Sequence, residues 1–293
     1  MPIEVHLIDG TYELFRHFYA VPSRRTESGQ EVAAVRGVLG NVLGLLEAGA
    51  THLAVATDHI IPSFRNDLWA AYKDGSEVDP EIAQQFEPLE RGLQALGIEV
   101  WPMVEFEADD ALAAGAAMAS RDDRVEKVLI CTPDKDLAQC VGAKIFQWDR
   151  RKDLIFDEDA VIQKYGVTPE SIPDYLALVG DTADGFPGLS GWGPKSSATV
   201  LHYYRSIEMI PDDAALWEVA VRGSQKLAAT LADQRDLALL FKQIATVRTD
   251  APVATNVDQL AWMGPTTAFE EFCTANRMES LLQRTWKLMP EPL

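Results

Sequence analysis

Four carboxylates lie within six positions of one short segment, EFEADDALAAGAAMA, residues 105–119. They are Glu105, Glu107, Asp109 and Asp110, and the alanine-rich run after them predicts a helix. The helix macrodipole stabilises acidic residues in the first turn of a helix, so one interpretation of the cluster is that it caps the helix. Glu107 and Asp110 would lie about 60° apart around the helix axis, with Asp109 beside them. Carboxylates so close repel each other unless a cation neutralises them, so a divalent metal site is the second interpretation.

Acidic residues also end the apolar runs that predict buried strands. The runs VHLID and LAVATD close on Asp9 and Asp58, and VLICTPDKD closes on Asp134 and Asp136. Helical patterns lie between the runs, in YELFRHFYA, AAVRGVLGNVLGLLE and PEIAQQFEPLERGLQALG, which predicts an α/β fold with a parallel sheet covered on both faces. Ligands bind at the carboxyl ends of such strands. One such acid is usually a helix cap or turn residue, but four at equivalent strand ends favour a site.

The pattern changes after KIFQWDRRKDLIF, which predicts a hairpin that turns at residues 149–152. From Gly166 onward the sequence is mainly helical. The segment LVGDTADGFPGLSGWGPKSSATVL contains Asp181 and Asp184, then a glycine-rich turn, then a helix predicted to start near Pro194. Backbone N–H groups at such a helix start suit a phosphate, although an ordinary tight turn between helices has the same pattern.

The composition predicts a soluble globular protein with a sizeable core, since 47% of the 293 residues are hydrophobic. Three cysteines, an odd number without metal-type spacing, favour a reducing cytoplasm, and neither a signal peptide nor a membrane span is predicted. The formal net charge of −19 argues against a nucleic-acid partner. That objection weakens if many of the acids bind metal.

Five motifs, in order, resemble those of the 5′ nuclease family, which contains the 5′–3′ exonuclease domain of bacterial DNA polymerase I, phage 5′ exonucleases and flap endonucleases. Between residues 7 and 197 they read LIDGTYELFR, ATDHIIPSFRNDLWAAYK, EFEADDALA, TPDKDLAQ and LALVGDTADGFPGLSGWGPKSS. The later segment LFKQIATVRTDAPV is similar to the one that closes these domains. The resemblance implies a PIN-like parallel sheet flanked by helices. No polymerase sequence follows, so it also implies a free-standing member, with roles in DNA replication or repair.

The resemblance implies a division into three parts. Residues 1–165 would form the metal-dependent nuclease core, including a helical arch at about residues 62–98. Residues 166–250 would form a DNA-binding subdomain of the helix-hairpin-helix (H3TH) type, and residues 251–293 a C-terminal segment that packs back on the core.

The resemblance further implies two divalent ions, Mg²⁺ or Mn²⁺, held by nine carboxylates. The first group is Asp9, Asp58, Glu107, Asp109 and Asp110, and the second is Asp134, Asp136, Asp181 and Asp184. Two hard cations about 4 Å apart can stabilise both the attacking and the leaving oxygen of a phosphoryl displacement. Glu105 has no counterpart in the family and is assigned as a surface acid. Setting aside the nine ligands leaves 36 acidic against 26 basic residues, a formal charge of −10, which predicts weak and salt-sensitive DNA binding.

Basic residues and a glycine-rich turn also match positions of the family. Arg65 and Lys73 stand where the family places phosphate-facing groups at the base of the arch, and their spacing of eight predicts one helix face. The turn of Gly188, Gly191 and Gly193 with Lys195 resembles the helix-hairpin-helix element, which grips the duplex backbone and often holds K⁺ on backbone carbonyls. Two features depart from the family. Trp192 replaces a small aliphatic residue, and the acidic stretch DGSEVD follows Lys73 where a base is common.

The chain is therefore predicted to be a metal-dependent 5′ nuclease, a 5′–3′ exonuclease or flap endonuclease. It would act as a cytoplasmic monomer on DNA with a 5′ end, flap or nick. A small-molecule phosphatase is an alternative, because LIDGT superficially resembles the aspartyl-phosphate motif of haloacid-dehalogenase-type enzymes, but Thr11 stands where that motif needs a second aspartate. A catalytically silent nucleic-acid-binding module is a third possibility; it predicts missing ligands, and none of the nine is missing.

Overall fold

The apolar runs predicted as strands form strands, the predicted hairpin forms two more, and one further strand was not indicated by the sequence. The structure, a computed structural model, describes residues 2–289. The strands are β1 (Ile3–Asp9), β2 (His52–Asp58), β3 (Glu99–Met103), β4 (Val125–Cys131), β5 (Ile145–Asp149) and β6 (Leu154–Phe156). The helices are α1 (Gly10–Ala20), α2 (Ala33–Glu47), α3 (Arg65–Leu68), α4 (Pro80–Ala83), α5 (Phe86–Ala95), α6 (Ala108–Ser120), α7 (Glu158–Tyr165), α8 (Ile172–Val179), α9 (Pro194–Tyr204), α10 (Ser224–Asp233), α11 (Arg235–Ala245), α12 (Ala268–Ala275) and α13 (Glu279–Trp286).

These elements belong to two compact units, each assembled from separate stretches of the chain. The first unit comprises Met1–Ile61, Gly75–Thr132 and Thr249–Leu293. The second unit comprises Pro62–Asp74 and Pro133–Arg248. The three-part division implied by the resemblance stays a prediction.

A parallel sheet with the strand order β3-β2-β1-β4 forms the centre of the first unit, as predicted. Val5, Leu7 and Ile8 in β1 have no exposed surface, so both faces of the sheet are covered, as is usual for parallel strands that helices connect. Asp9 in β1 pairs with Ala56 in β2. Because the strands run in the same direction, their acidic carboxyl ends lie at the same edge of the sheet.

Strand β3 was missing from the sequence prediction. Its five residues, EVWPM, include Pro102, which cannot donate a hydrogen bond to a neighbouring strand. In this parallel sheet β3 pairs with β2 alone. It is therefore an edge strand, where one side of the backbone needs no partner strand and a proline is tolerated. Helix α6 packs against β3 through Gly115, where a Cβ atom would overlap with the indole ring of Trp101. This contact between α6 and the strand could not be inferred from the local sequence.

The stretch predicted to be helical over residues 80–97 is helical but not continuous, because the structure divides it into α4 and α5. The break lies at Gln84 and Gln85, which form a turn. Pro88 explains it: proline has no N–H for a hydrogen bond to the carbonyl of residue 84, and its ring would clash with that carbonyl in a continuous helix. The predicted α2, in contrast, matches Ala33–Glu47.

Residues 249–289 belong to the first unit and pack on its early helices. Helix α12 packs against α5, and α13 packs against α2. Trp262 ties the segment down, since its backbone N–H donates to the Thr51 carbonyl at 2.8 Å and its indole N–H donates to the Leu96 carbonyl at 2.8 Å. The first unit is therefore completed by a stretch that lies far along the chain from its sheet.

The second unit is mainly helical, as predicted from Gly166 onward, and contains the predicted hairpin. Strands β5 and β6 pair in the antiparallel sense. The core of the unit is aromatic: Phe186 stacks on Phe241 with ring centroids 5.4 Å apart, and the Trp69 ring meets Phe241 edge-on at 5.1 Å. None of the helices in residues 2–289 combines the length and the apolarity that a bilayer crossing requires.

Candidate metal centre

Asp9 and Asp58 end strands β1 and β2, and neighbouring donors fix their carboxylates. Asp9 Oδ1 accepts a hydrogen bond from the Tyr12 N–H at 2.8 Å, which caps α1, and Asp9 Oδ2 accepts one from the Thr132 hydroxyl at 2.9 Å. Asp58 Oδ1 accepts from the Ala108 N–H, at the start of α6, at 2.7 Å. Both predicted ligands are thus held in defined orientations within the first unit.

The start of α6 carries the other three acids of the first group. Glu107 is the N-cap residue, and its backbone N–H donates to Asp110 Oδ2 at 3.0 Å in a capping box. Glu107 and Asp110 are buried, Asp109 is half-buried, and Glu105 is exposed ahead of the helix. The capping interpretation of this cluster is confirmed. A capping carboxylate has lone pairs left for a cation, so the metal interpretation stays a prediction beside it.

The second unit brings together the four acids of the second group. Asp136, Asp181 and Asp184 are each more than nine-tenths buried, and each offers an oxygen within 4.8 Å of an oxygen of the other two. The backbone N–H of Asp136 donates to Asp134 Oδ1 at 3.0 Å, which places the fourth acid beside them. Together these oxygens form a compact set that could hold a metal ion.

Two oxygens of this cluster, Asp136 Oδ1 and Asp181 Oδ2, are buried and have no hydrogen-bond donor in residues 2–289 other than one lysine ammonium. Burial, and then the charges of Asp134 and Asp184, raise the pKa of Asp136 well above its usual range. Buried carboxylates without donors are costly unless a cation lies against them. Mg²⁺ and Mn²⁺ prefer such oxygens, so the donor set fits the predicted metal.

The lysine that contacts these oxygens is Lys135, which the sequence analysis missed. Lys135 Nζ forms ion pairs with Asp181 Oδ2 and, at 3.5 Å, with Asp136 Oδ1. Burial acts to lower the pKa of Lys135, but the charges of Asp136 and the other acids outweigh it and raise the pKa. The ammonium is therefore charged at neutral pH. In the sequence it stands between two aspartates, where a lysine resembles an ordinary solvated charge.

Arg65 and Lys73 do not share a helix face, so that part of the prediction was wrong. Helix α3 ends at Leu68, and the backbone of Trp69 is extended. The Trp69 ring packs in the aromatic core, and its indole N–H donates to the Gly185 carbonyl at 3.0 Å. This tertiary contact outweighs the continuation of the helix.

The two cations have different partners. Lys73 Nζ pairs with Asp184 Oδ1 at 2.9 Å, and Asn66 Nδ2 donates to the Lys73 carbonyl at 3.1 Å. Arg65 is buried, and its Nε donates to the Ile244 carbonyl at 2.8 Å. Lys73 therefore lies at the second acidic group, whereas Arg65 ties α3 to the end of α11. Their phosphate-facing roles stay predictions.

The glycine-rich turn leads into α9 as predicted, with Gly193 at the N-cap and Pro194 at the first helical position. Gly188 has a φ of 68°, and a Cβ atom there would overlap with the backbone of Val179 and Gly180. A side chain at this position would be both strained and blocked. Glycine is therefore required for the close return of the chain past the end of α8.

A cleft of about 600 Å³ opens at this turn, and its lining includes Gly191, Gly193, Lys195 and Arg222. Arg222 is exposed, and the sequence analysis did not single it out. Trp192, the departure from the family pattern, is buried, and its indole N–H donates to the Leu227 carbonyl at 3.2 Å. The larger side chain therefore fills the core of the second unit.

Several polar side chains that support the predicted ligands had no signature in the sequence. The Thr11 hydroxyl accepts from the Asp58 N–H at 2.8 Å, and Gln147 Nε2 donates to the Asp134 carbonyl. The Thr132 hydroxyl donates to Asp9, and the Asn66 side-chain amide donates to the Lys73 carbonyl. Each is a single polar residue whose partner is remote in sequence or is a backbone group, so no spacing reveals it.

Two family profiles cover most of the chain. The one described as "5′-3′ exonuclease, N-terminal resolvase-like domain" matches residues 4–166, and the one described as "5′-3′ exonuclease, C-terminal SAM fold" matches residues 167–268. A 5′-3′ exonuclease of Aquifex aeolicus is 32% identical over 258 residues, 87% of this chain and 86% of that protein. DNA polymerase I of Pseudomonas aeruginosa is 35% identical over 264 residues, but the chain spans only 28% of its length.

Solved structures share the fold at low sequence identity. T5 5′-exonuclease with bound divalent metal ions (zinc) has a TM-score of 0.66 at 15% identity, with 97% of this chain and 98% of that chain covered. The catalytic core of Rad2 in complex with DNA substrate has a TM-score of 0.64 at 16% identity, with 98% and 93% covered. These likenesses confirm the predicted PIN-like arrangement of a parallel sheet flanked by helices.

Proposed function

The chain belongs to the 5′–3′ exonuclease family, and from this premise we propose that it is a divalent-metal-dependent 5′ nuclease that hydrolyses DNA phosphodiesters. The observation that carries the proposal is the buried cluster of Asp136, Asp181 and Asp184, with oxygens of all three within 4.8 Å of one another. Buried carboxylates in a purely structural role are normally satisfied by hydrogen-bond donors. In the described part of the chain, two oxygens here face an ammonium and no other donor, which is the arrangement expected of cation ligands.

Nine carboxylates would hold two ions, Mg²⁺ or Mn²⁺. The groups implied by the resemblance, five acids from Asp9 to Asp110 and four from Asp134 to Asp184, fall one in each compact unit. Bound ions would supply charge stabilisation for the attacking and leaving oxygens of an in-line displacement at phosphorus. Thr132, Ala108 and Thr11 orient the first group through the hydrogen bonds at Asp9 and Asp58.

Two cations are proposed to face the phosphate that is cleaved. Lys73, held at Asp184, would offset the negative charge that develops on the phosphoryl oxygens. Arg65 would add a second positive charge there and, through its hydrogen bond to the Ile244 carbonyl, would also fix the segment that carries Lys73. This division of roles rests on their different partners.

The turn before α9 is proposed to contact the DNA backbone. Gly188, Gly191 and Gly193 allow close approach of backbone groups, Lys195 supplies a charge at the cleft, and K⁺ would bind on backbone carbonyls of the turn. Because the net charge stays negative even without the nine ligands, local cations of this kind would carry DNA binding. A monomer in the cytoplasm remains part of this proposal.

A cleavage assay tests the proposal and separates it from its alternatives. A 5′ flap, a nicked duplex, a single strand and a small aryl phosphate are each incubated with Mg²⁺, Mn²⁺ or EDTA. We expect cleavage of DNA with a 5′ end, abolished by EDTA, and the ratio of flap to nick cleavage distinguishes endonuclease from exonuclease preference. Turnover of the aryl phosphate alone would favour a phosphatase, and binding without any cleavage would favour a silent module.

Two isosteric variants connect the activity to the predicted ligands. Asp109→Asn and Asp181→Asn keep the side-chain volume but remove a charge, so each should lower the cleavage rate by at least about a hundredfold. Asp233→Asn, at an exposed position in α10, is the matched control and should cleave at the parent rate. Parent-like cleavage by either ligand variant would refute the metal assignment.

A further inference from the structure

Lys135 contacts the two cluster oxygens that no other donor in the described chain reaches. Its Nζ forms ion pairs with Asp181 Oδ2 and Asp136 Oδ1, and both oxygens are buried. The other oxygen of Asp181 is already used, since Oδ1 accepts from the Ala183 N–H at 3.0 Å. The ammonium therefore lies against the two oxygens that would otherwise face a cation.

A divalent ion and this ammonium cannot both lie against those oxygens without a large cost. Mg²⁺ binds carboxylate oxygens at about 2.0–2.1 Å. An ion on Asp136 Oδ1 and Asp181 Oδ2 would then lie within a few ångströms of Lys135 Nζ in its present position. Like charges so close repel strongly in a partly buried site. One of the two cations has to give way.

We propose that Lys135 is a built-in counter-ion that holds the Asp136, Asp181 and Asp184 cluster together without metal and is displaced when a divalent ion binds. Its competition would weaken the metal affinity of the cluster. The inference rests on the metal binding proposed above and adds a residue that competes with the metal.

The surroundings of Lys135 allow this exchange. Its side chain is 35% exposed, whereas the side chains of Asp136 and Asp181 are 10% and 4% exposed. The ammonium can therefore move toward solvent on a flexible four-carbon stem while the carboxylates stay in place. Lys73 is a less suitable competitor. Its backbone N–H also donates to the Asp184 carbonyl at 3.2 Å, which holds the Lys73 backbone beside the cluster.

Calorimetric titration of the metal-stripped full chain with Mn²⁺ tests the proposal without an activity measurement. Lys135→Met removes the charge and keeps most of the side-chain volume. We expect it to bind Mn²⁺ about tenfold more tightly than the parent at one fixed ionic strength. Lys135→Arg keeps the charge and should bind as weakly as the parent. Lys152→Met, at an exposed hairpin lysine that pairs with Asp149, is the control and should leave the affinity unchanged.

Thermal unfolding gives a second readout. In EDTA, Lys135→Met should melt at a lower temperature than the parent, because the buried acids lose their counter-ion. Saturating Mn²⁺ should then raise its melting temperature by more than it raises that of the parent. If Lys135→Met is unfolded in EDTA, Lys135→Gln replaces it in both measurements, and folding of either variant on Mn²⁺ addition supports the proposal.

The outcomes separate this inference from the proposed function. Mn²⁺ binding by the parent with equal or weaker binding by the neutral variants would overturn the counter-ion role and leave the metal assignment standing. Absence of Mn²⁺ binding in the parent and in every variant would overturn both. If neither neutral variant folds even with Mn²⁺, Lys135 is a structural residue and the inference is wrong.

Discussion

The orientation of the Asp9 carboxylate depends on a hydroxyl that lies 123 residues away in the sequence. Thr132 is buried, and its Oγ1 donates to Asp9 Oδ2 at 2.9 Å. Groups that orient a metal ligand in this way typically affect metal affinity or rate by 10–100-fold when removed. The hydroxyl is therefore expected to matter for cleavage through the orientation of Asp9, a proposed metal ligand.

We expect Thr132→Val, which has the same shape but no donor, to reduce DNA cleavage by about tenfold. Thr132→Ser keeps the hydroxyl and should stay within a few-fold of the parent. Initial rates of 5′-flap and nick cleavage at saturating Mg²⁺ measure both variants, and circular dichroism checks that they fold. A valine variant as active as the parent would show that the hydrogen bond has no catalytic consequence.

A second residue-scale prediction concerns Glu13, which is buried in α1. Burial acts to raise its pKa, but hydrogen bonds from His17, Arg16 and Asn41 and the charge of Arg16 outweigh it and lower the pKa from 4.5 to about 2. A carboxyl with a lowered folded-state pKa contributes stability that is present above the unfolded-state pKa and is lost as the pH falls toward the folded-state value. The relevant window is therefore about pH 4.5 to 2.

Glu13→Gln should flatten the loss of stability in this window. Between pH 5 and pH 3 the unfolding free energy of the parent should fall more steeply than that of the variant, by at most about 3 kcal/mol over the full window. Urea unfolding at several pH values measures it. Glu126→Gln, at an exposed position in β4, is the control and should follow the parent. Parallel pH profiles for Glu13→Gln and the parent would contradict the prediction.

At the scale of elements, helix α2 contains two glycines with different surroundings. A Cβ atom on Gly37 would overlap with the imidazole ring of His17 in α1, whereas nothing lies within 4 Å of a Cβ atom on Gly44. Gly37 therefore allows α1 and α2 to approach closely, while Gly44 only carries the usual entropic cost of glycine in a helix. The same substitution should act in opposite directions at the two positions.

Gly37→Ala should lower the unfolding free energy by about 1–3 kcal/mol, because the new methyl group forces α1 and α2 apart. Gly44→Ala should raise it by up to about 1 kcal/mol, because alanine has the higher helix propensity. Chemical denaturation of both variants under one condition measures the difference. Equal effects at the two positions would mean that the contact between α1 and α2 adapts easily.

The sequence could predict the elements that local patterns specify, but not those that depend on tertiary contacts. Strands β1, β2 and β4 are buried on both faces, so their apolar runs are evident, and the acids at or after their ends stand out. Strand β3 and the end of α3 depend on contacts with α6 and the aromatic core, which no local pattern reveals. The break before α5 had a local cause in Pro88 that the helical periodicity obscured.

The residues of the candidate site also fall into those that motifs reveal and those that only tertiary contacts reveal. All nine proposed ligands could be assigned from motifs, because carboxylates at strand ends and helix starts have a recognisable spacing. Lys135 could not be assigned, because its proposed role depends on the ion pair with Asp181, which lies in the turn after α8. Arg65 was assigned a role from its motif, but its bond to the Ile244 carbonyl spans 179 residues. Partners that only the folded chain brings together escape motif analysis.

At the scale of the whole molecule, the proposed DNA binding by so acidic a protein would depend on a few local cations. The formal charge is −19, and Lys195 is exposed at the cleft beside the glycine turn. Each phosphate contact of this kind releases about one counterion from DNA, whatever the base sequence. Loss of one such contact should therefore appear in the salt dependence of binding.

Lys195→Ala should weaken duplex binding to a similar degree on different sequences and lower the slope of log affinity against log salt by about one. Titrations at several salt concentrations with two unrelated duplexes measure it. Lys226→Ala, an exposed lysine of α10 outside the cleft lining, serves as the control and should keep the parent slope. An unchanged slope for Lys195→Ala, or a loss on one sequence only, would reject the proposed phosphate contact.

The late arrival of α12 and α13 in the first unit has a consequence for how the chain is made. A ribosome synthesises β1, α2, β2 and α5 first and then the Pro133–Arg248 stretch of the second unit, before it reaches the residues that pack on α2 and α5. At about 5–20 residues per second, roughly ten to fifty seconds separate α2 from α13. The second unit can fold in that interval, while the apolar surfaces of α2 and α5 that later receive α13 and α12 stay uncovered on the nascent chain. The growing chain thus offers a holding chaperone a binding surface that the finished protein conceals.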